Sequence, residues 1–395
     1  MKSVEAHLAE ILATVRPLAP LELELERALG TTLAEDVSSP VPLPPFDNSA
    51  MDGYAVRARD VADVPVTLPV IDDVAAGSGE LRAVGPGHAV RIMTGAPLPG
   101  GADTVIPVEW TDGGTVTVTI SRTADAGNAV RRAGEDVQTG EVVLKAGTLI
   151  RPAQLGIIAG VGRRRVLVRP QPRVVVLSTG AELVEPGMPL GHGQIWDSNS
   201  FTLTASVREA GAEGFRATTV GDDPTAFLEQ LDAQLVRADA VVTSGGVSMG
   251  AYEPVKEALS PLGTVNFEKV AMQPGMPQGF GVVGEDQVPI FALPGNPVSS
   301  FVSFMLFVRP AVMKMRGLPA GFPETSSAIV TGALRSPSGR RSYLRGVLAE
   351  DGTVSPVRGQ GSHQLAALAS ANALIVVAES VTEVAAGSEV EVIRL

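Results

Sequence analysis

From Arg173 onward the chain repeats one pattern: a short apolar run, a loop rich in Gly, Pro, Ser or Asp, then a segment of helical periodicity. Residues 174–177, 217–220, 240–243 and 289–293 read as strands, and 198–209, 224–236, 254–259 and 298–315 as the helices that follow them. Strands that alternate with helices run parallel, because each helix carries the chain back across the sheet, and helices on both faces let the strands be apolar throughout. Ligands of such sheets bind beyond the carboxyl ends of the strands. The functional residues of this half are therefore expected in the loops that leave the strands.

The half before it reads differently. From Leu21 to about Arg169, alternating runs such as VPVTLPVI, TVTVTI and EVVLKAGTLI are separated by Gly, Pro and Asp turn signals, and 43 glycines and 30 prolines supply turns for many short strands. Within it, 46–133 reads as an insertion, with the chain returning at GEDV. Residues 1–18 read as an amphipathic helix and not as a secretion signal. From about Pro323 the helices stop, and SAIVTG, SYLRGVLA, TVSPV, ALIVVA and EVEVIRL read as five strands of a small barrel or sandwich. At ~150 residues per domain, the length predicts two to four folded units. The apolar stretch 298–308 holds three serines and falls short of the ~20 residues a bilayer span needs, so it reads as a buried helix.

A net charge of −12 argues against a nucleic-acid partner or a polybasic membrane patch, both of which need excess Lys and Arg. The absence of cysteine excludes disulfides, a thiolate nucleophile and Cys-ligated zinc, and fits a reducing cytoplasm. His7, His88, His192 and His363 are too scattered to suggest a zinc cage or a triad, and neither GxSxG nor HExxH occurs. Chemistry is therefore expected to rest on carboxylates, a metal, Lys, Arg and backbone dipoles.

Five segments concentrate polar residues. DAVVTSGGVSMG (239–250) runs a strand into Gly245-Gly246; such a loop either turns N–H groups toward an anion or is only a tight connection, and it has neither the Walker ending nor GxGxxG spacing. FALPGNPVSSF (291–301) repeats the design with a Pro-Gly-Asn-Pro turn, which either faces the same crevice or merely breaks a strand before a helix. GQIWDSNS (193–200) stacks Asp197, Ser198, Asn199 and Ser200 where one residue suffices as a cap, so Asp197 is either that cap or a partner for a ligand hydroxyl or ring nitrogen. PPFDNSAMDGYAV (44–56) gathers Asp47, Asn48, Ser49 and Asp52, suited to a metal-bridged or oxyanion ligand or to Asx-turn scaffolding. RRAGEDV (131–137) sets Arg131 and Arg132 beside Glu135 and Asp136, a functional cluster or a solvated ion-pair patch.

In this order, PPFDNSAMDGYAV, MTGAPLPGGADTVIPVE, GEDV, LSTGAEL, SGGVSMG and LPGNPVS resemble segments of the molybdopterin molybdenumtransferases of molybdenum-cofactor synthesis, the MoeA family, to which the C-terminal domain of eukaryotic gephyrin is related. The likeness spans nearly the whole chain. It implies a multidomain α/β plus β fold: an elongated β-rich N-terminal subdomain (1–45 and 134–169), an inserted β-rich subdomain (46–133), a molybdopterin-binding three-layer α/β/α domain (170–318) and a small C-terminal β-barrel (319–395). It implies a cytoplasmic homodimer that takes adenylylated molybdopterin and molybdate as substrates with Mg2+ as cofactor. The adenylate is cleaved, molybdenum enters the dithiolene and AMP leaves. The likeness to gephyrin implies an alternative, a dimeric scaffold for a peptide of a cytoskeletal or membrane-receptor partner with reduced or no transferase activity.

Carried over position by position, the resemblance implies Asp52, Asp136, Glu182 and Lys269 as catalytic residues and Asp52, Glu182, Asp222 and Glu253 as metal ligands. It implies that Thr94, Asp197, Ser198, Ser244, Gly245, Gly246, Gln273, Pro294, Gly295, Asn296 and Arg345 bind the pterin, the adenylate or molybdate. Some positions depart from the family pattern. Lysine is frequent in the family where this chain has Gln273 and Met276, and aspartate where it has Ala181 and Glu253. A charge-assisted hydrogen bond to an anion is worth about 1.5–3 kcal/mol; Gln273 still donates a neutral one, and Met276 donates none.

Overall fold

A computed structural model describes residues 1–77, 82–217, 221–247 and 253–395. The chain divides into two units, one made of 22–29 and 33–166, the other of 1–21, 30–32 and 167–395.

The first unit is built on a five-stranded sheet in the spatial order Thr104–Pro107, Gly53–Val56, Ala89–Ile92, Val66–Val74, Thr117–Ile120. Its pairs are antiparallel except Val66–Val74 with Ala89–Ile92. Both faces carry apolar cores, Tyr54, Val56, Ile106 and Ile120 in one and Ala55, Val90, Ile92 and Val105 in the other, so Gly53–Val56 is buried throughout. Gly53 is required by close approach: a Cβ there would lie 2.0 Å from the Ile106 carbonyl oxygen. That contact fixes the chain just after Asp52.

The second unit carries a six-stranded sheet in the order Glu213–Arg216, Arg173–Ser178, Ala240–Ser244, Val288–Leu293, Pro277–Val283, Val265–Lys269. The first four strands are mutually parallel, and the last two join by antiparallel pairing. Alternation along each strand feeds two cores. Val174, Val176 and Val242 face Leu203, Val207 and the long helical run from Pro297; Val175, Leu177 and Val241 face Phe227, Leu231 and Leu259. The result is the expected three-layer arrangement. Two features differ from the sequence reading. The strand expected at 217–220 ends earlier, at Glu213–Arg216, with the Ala217 N–H still donating to the Val176 carbonyl at 2.9 Å; residues 218–220 lie outside the described residues. The edge pair Pro277–Val283 and Val265–Lys269 was not anticipated, because its glycines and charges interrupt the apolar pattern.

The N-terminal helix Val4–Thr14 is capped by Ser3, whose hydroxyl accepts from the Ala6 N–H at 3.0 Å. Its Val4, Leu8 and Ile11 enter the same core as Phe307 and Met315, which groups residues 1–21 with this unit and apart from 33–166. The helical run Pro297–Met315 spans 19 residues, well beyond the 298–308 stretch singled out by hydropathy. A π turn at Phe304–Val308 carries the helix into Pro310, which has no N–H to donate backward. In length and composition it matches a membrane span, yet 72% of its apolar window is buried within the protein, as a core helix would be.

After it, Arg341–Leu348, Thr353–Pro356, Thr325–Val330, Glu389–Arg394 and Ala373–Val377 form a ring, closed by pairing of the first with the last. Val330, Val354, Ile375 and Val392 fill it. Of the two architectures expected, the barrel is the one formed, and closure leaves no unpaired strand edge.

Candidate active site

In the parallel sheet, Ser178 pairs with Ser244 and Ser244 with Leu293, so three strands end level and their loops leave side by side. Together the loops enclose a cavity of about 690 Å³. Glu182 enters it from the loop after the first strand, and Asp197, Ser198 and Asn199 from the start of the helix Asn199–Glu209. Ser244, Gly245 and Gly246 enter from the second strand end, and Pro294, Gly295 and Asn296 from the third. Asp222 and Glu253 complete its acidic wall. Residues 248–250 of the Ser-Gly-Gly segment lie outside the described residues.

Hydrogen bonds make these loops one piece. The Asn199 side-chain amide donates to the Ser244 hydroxyl at 2.7 Å and to the Gly295 carbonyl at 2.6 Å. The Ser300 hydroxyl donates to the Pro294 carbonyl, closing the Pro-Gly-Asn-Pro turn onto its helix. Asp197, 1% exposed, accepts from the Ser178 hydroxyl at 3.2 Å and from the Ser200 N–H at 3.0 Å, so it caps the helix while lining the cavity. Gly245 and Gly246 have φ of +98° and +67°, and a Cβ at Gly245 would meet the Thr179 carbonyl oxygen at 2.6 Å. The Gly245 N–H donates to the Leu293 carbonyl at 3.1 Å, so this glycine serves a tight connection.

A second cluster forms in the other unit. Asp52 accepts from the Thr94 N–H at 2.7 Å and from the Thr94 hydroxyl at 2.8 Å. The backbone N–H first, and then the hydroxyl, hold its carboxyl below the usual carboxylate range. Residues 47–50 lie between the 94–98 and 129–133 segments: Asn48 pairs with Pro97 and with Arg131, and Ser49 with Val130. Asp47 accepts from Arg132 Nη1 at 2.6 Å and from the Ala133 N–H at 2.8 Å. The mixed cluster at 131–137 is thus in part an ion pair, while Asp136 is exposed and its N–H donates to the Leu43 carbonyl.

In the unit that holds the cavity, three expected ligand-binding positions lie away from its wall. Lys269 is exposed at the end of the edge strand, paired with Pro277, a residue of the wall; it stands one strand spacing, about 4.8 Å, beyond the rim. Gln273 is half-buried and accepts from Arg340 Nη1 at 3.3 Å, and the neighbouring Met276 carbonyl accepts from the Val270 N–H. Arg345 is fully buried, and burial pulls its pKa down. Its Nη2 donates to the Gly359 and Gly361 carbonyls at 2.8 and 3.2 Å and so fastens the 359–361 loop, while Nε and Nη1 are buried without a hydrogen-bond partner among the described residues. That loop leads to His363, a wall residue that sequence reading set aside as structural. Asn199 was seen only as part of a polar cap cluster; its bridging role depends on two loops distant in sequence.

Among the described residues no three Asp, Glu, His or Cys side chains converge as a metal cage. Glu182, Asp222 and Glu253 are nevertheless hard oxygen donors in one wall. Mg2+ is commonly held by one or two carboxylates together with substrate phosphates, and this donor set fits it. The described wall contains no Lys or Arg, so a phosphate placed there calls for a cation from elsewhere.

A three-layer sheet with a polar cavity at its strand ends, followed by a closed barrel, defines an α/β protein that binds a polar small molecule between its loops. Family models match in three consecutive stretches: "MoeA N-terminal region (domain I and II)" over 2–162, "Probable molybdopterin binding domain" over 175–314 and "MoeA C-terminal region (domain IV)" over 327–395. The chain belongs to the MoeA family. It is 47% identical to molybdopterin molybdenumtransferase 2 and 42% identical to molybdopterin molybdenumtransferase 1 of Mycobacterium tuberculosis, covering 99% of this chain in each case and 99% and 98% of those proteins. A crystal structure of a molybdopterin biosynthesis MoeA protein from Pyrococcus horikoshii superposes with a TM-score of 0.82 at 33% identity, covering 99% of this chain and 98% of that one. The scaffold alternative gains no support from these relatives.

Proposed function

We propose that this chain is a molybdopterin molybdenumtransferase, which inserts molybdenum into adenylylated molybdopterin with release of AMP in molybdenum-cofactor biosynthesis. The observation that carries the reading is convergence: Glu182, Asp197, Ser244 and Asn296, each from a different segment of the family resemblance or its neighbourhood, line one cavity large enough for a nucleotide-sized ligand. Ser198, Ser244 and the Pro294–Asn296 turn bind and orient the pterin and adenylate portions, with Asp197 available to a ring nitrogen or hydroxyl. Lys269, one strand beyond the rim, offers an ammonium to phosphate or molybdate, and Gln273 a neutral donor. Asp52, held ionised by Thr94, and Asp136 belong to the same reading as acidic groups of the reaction.

Mg2+ is part of the proposal: Glu182, Asp222 and Glu253 would hold it, and it would neutralise phosphate charge that the wall carboxylates otherwise repel. The homodimer and the cytoplasmic setting are proposed as well, the latter supported by the absence of cysteine. So is the four-part division 1–45 with 134–169, 46–133, 170–318 and 319–395; the family-model edges at 162, 175, 314 and 327 support its two later boundaries. Incubating the folded protein with adenylylated molybdopterin, Mg2+ and molybdate, and following AMP and pterin-bound molybdenum, tests the reading. Formation of neither product rejects it.

A further inference from the structure

One part of the cavity wall is not used by the groups named so far. It is formed by a two-stranded parallel ribbon, Leu183–Val184 with Ile195–Trp196. Ile195 and Trp196 line the cavity and are 54% and 51% exposed, unusual for side chains of this size beside a polar pocket. The indole is already fixed: its Nε1–H donates to the Met188 carbonyl at 2.9 Å. The loop that supplies this carbonyl is itself anchored, because Arg216 donates to both carboxylate oxygens of Glu185 and lies over the Phe201 ring at 4.2 Å. With its only polar atom satisfied inside the protein, what the indole offers is its apolar surface. The rest of the wall carries hydroxyls, amides and carboxylates set among prolines, glycines, Leu183 and Val247, with no other large aromatic among its described residues. A ligand that meets both the polar groups and the indole therefore has a polar part and a flat apolar part.

We infer that Trp196 is the ring-binding residue of this site, its indole stacking on the fused heteroaromatic ring of the ligand, a pterin or an adenine. The inference rests on the function proposed above and adds the group that recognises the ring. Stacking is tolerant, since every planar heterocycle presents a π face, so Trp196 supplies affinity for either ring and the polar groups choose between them. Holding the indole in place beforehand removes the ordering cost that a mobile side chain incurs on binding.

Trp110 and Trp196 are the two tryptophans of the chain, so Trp110→Phe leaves Trp196 as sole fluorophore. This variant is titrated separately with AMP and with neopterin, a free pterin, and the same titrations are followed by calorimetry on the unmodified chain. Saturable quenching by at least one ligand is expected, identifying which ring stacks. Trp196→Ala should weaken that ligand roughly tenfold, and Trp196→Phe should retain most of the affinity and the parent melting temperature. Three results overturn the inference: neither ligand quenches, Trp196→Ala binds as tightly as the parent, or emission follows protein concentration without ligand, which makes Trp196 a contact between copies. AMP release from adenylylated molybdopterin is read independently. Release with unaltered binding by Trp196→Ala removes only this inference, and ring binding at Trp196 without release removes only the proposed function.

Discussion

Asn199 and Ser244 are joined side chain to side chain, amide to hydroxyl at 2.7 Å, across 45 residues of sequence. Because the same amide reaches the Gly295 carbonyl, the first turn of one helix holds two strand-end loops in a single arrangement. Ser244 and Gly295 are thus held in place by the protein itself.

Asn199→Ala removes both bonds and leaves the Gly295 carbonyl without this donor. We expect a stability loss of about 1–2 kcal/mol and AMP binding weakened about tenfold. Denaturant unfolding and calorimetry check the two effects; unchanged AMP affinity would show that the bridge does not shape the site.

Asp52 depends on Thr94 through both a backbone and a side-chain donor, the backbone one being the stronger influence. Thr94→Ala is expected to raise the Asp52 pKa while leaving it below the ordinary aspartate value, since the amide remains. Carbon NMR of the carboxyl reads this directly. Asp52→Asn should reduce turnover about a hundredfold or more with the fold retained.

His7 is buried against the edge of Phe307, with Lys2, Glu10 and Glu268 around it, and burial followed by the Lys2 charge lowers its pKa to about 4 from 6.5. A histidine held neutral in the fold but free to charge when unfolded contributes stability that is complete above pH 6.5 and is lost as the pH falls toward 4. The loss is on the order of 3 kcal/mol. His7→Leu should flatten that limb of a stability–pH curve without changing the denaturant slope at pH 8. An unaltered limb would assign it to other groups.

Arg345 donates to two carbonyls at once through a single guanidinium nitrogen, Nη2, and these bonds tie the 359–361 loop to the barrel strand Arg341–Leu348. Arg345→Met removes this donor and is expected to cost about 2–3 kcal/mol and to shift the ring resonances of His363, whose loop it fastens. Thermal unfolding and imidazole NMR measure both.

The parallel sheet was legible because Val174–Leu177 and Ala240–Thr243 are apolar throughout and each is followed by turn residues and a helical period. The level strand ends brought Ser244, Asn296 and Glu182 together as that pattern implies. The edge strand Val265–Lys269 was hidden because Asn266, Glu268 and Lys269 are polar, as suits an outer position. The burial of Arg345 was hidden for a different reason: a matching segment gives a residue's identity but not its surroundings, and a buried arginine with carbonyl partners looks the same in sequence as an exposed one. Trp196 gave no signal, since one aromatic beside a polar cluster reads equally well as core.

The union of the first helix with the core of Phe307 and Met315 also bears on how the protein is made. Val4, Leu8 and Ile11 are translated about 300 residues ahead of the helix that shelters them, roughly 15–60 s at ordinary elongation rates. Throughout that interval the nascent chain carries an apolar stripe with nothing to cover it, while residues 33–166 have everything needed to complete their own sheet. Shelter for Val4, Leu8 and Ile11 thus comes only once the helical run Pro297–Met315 has been translated.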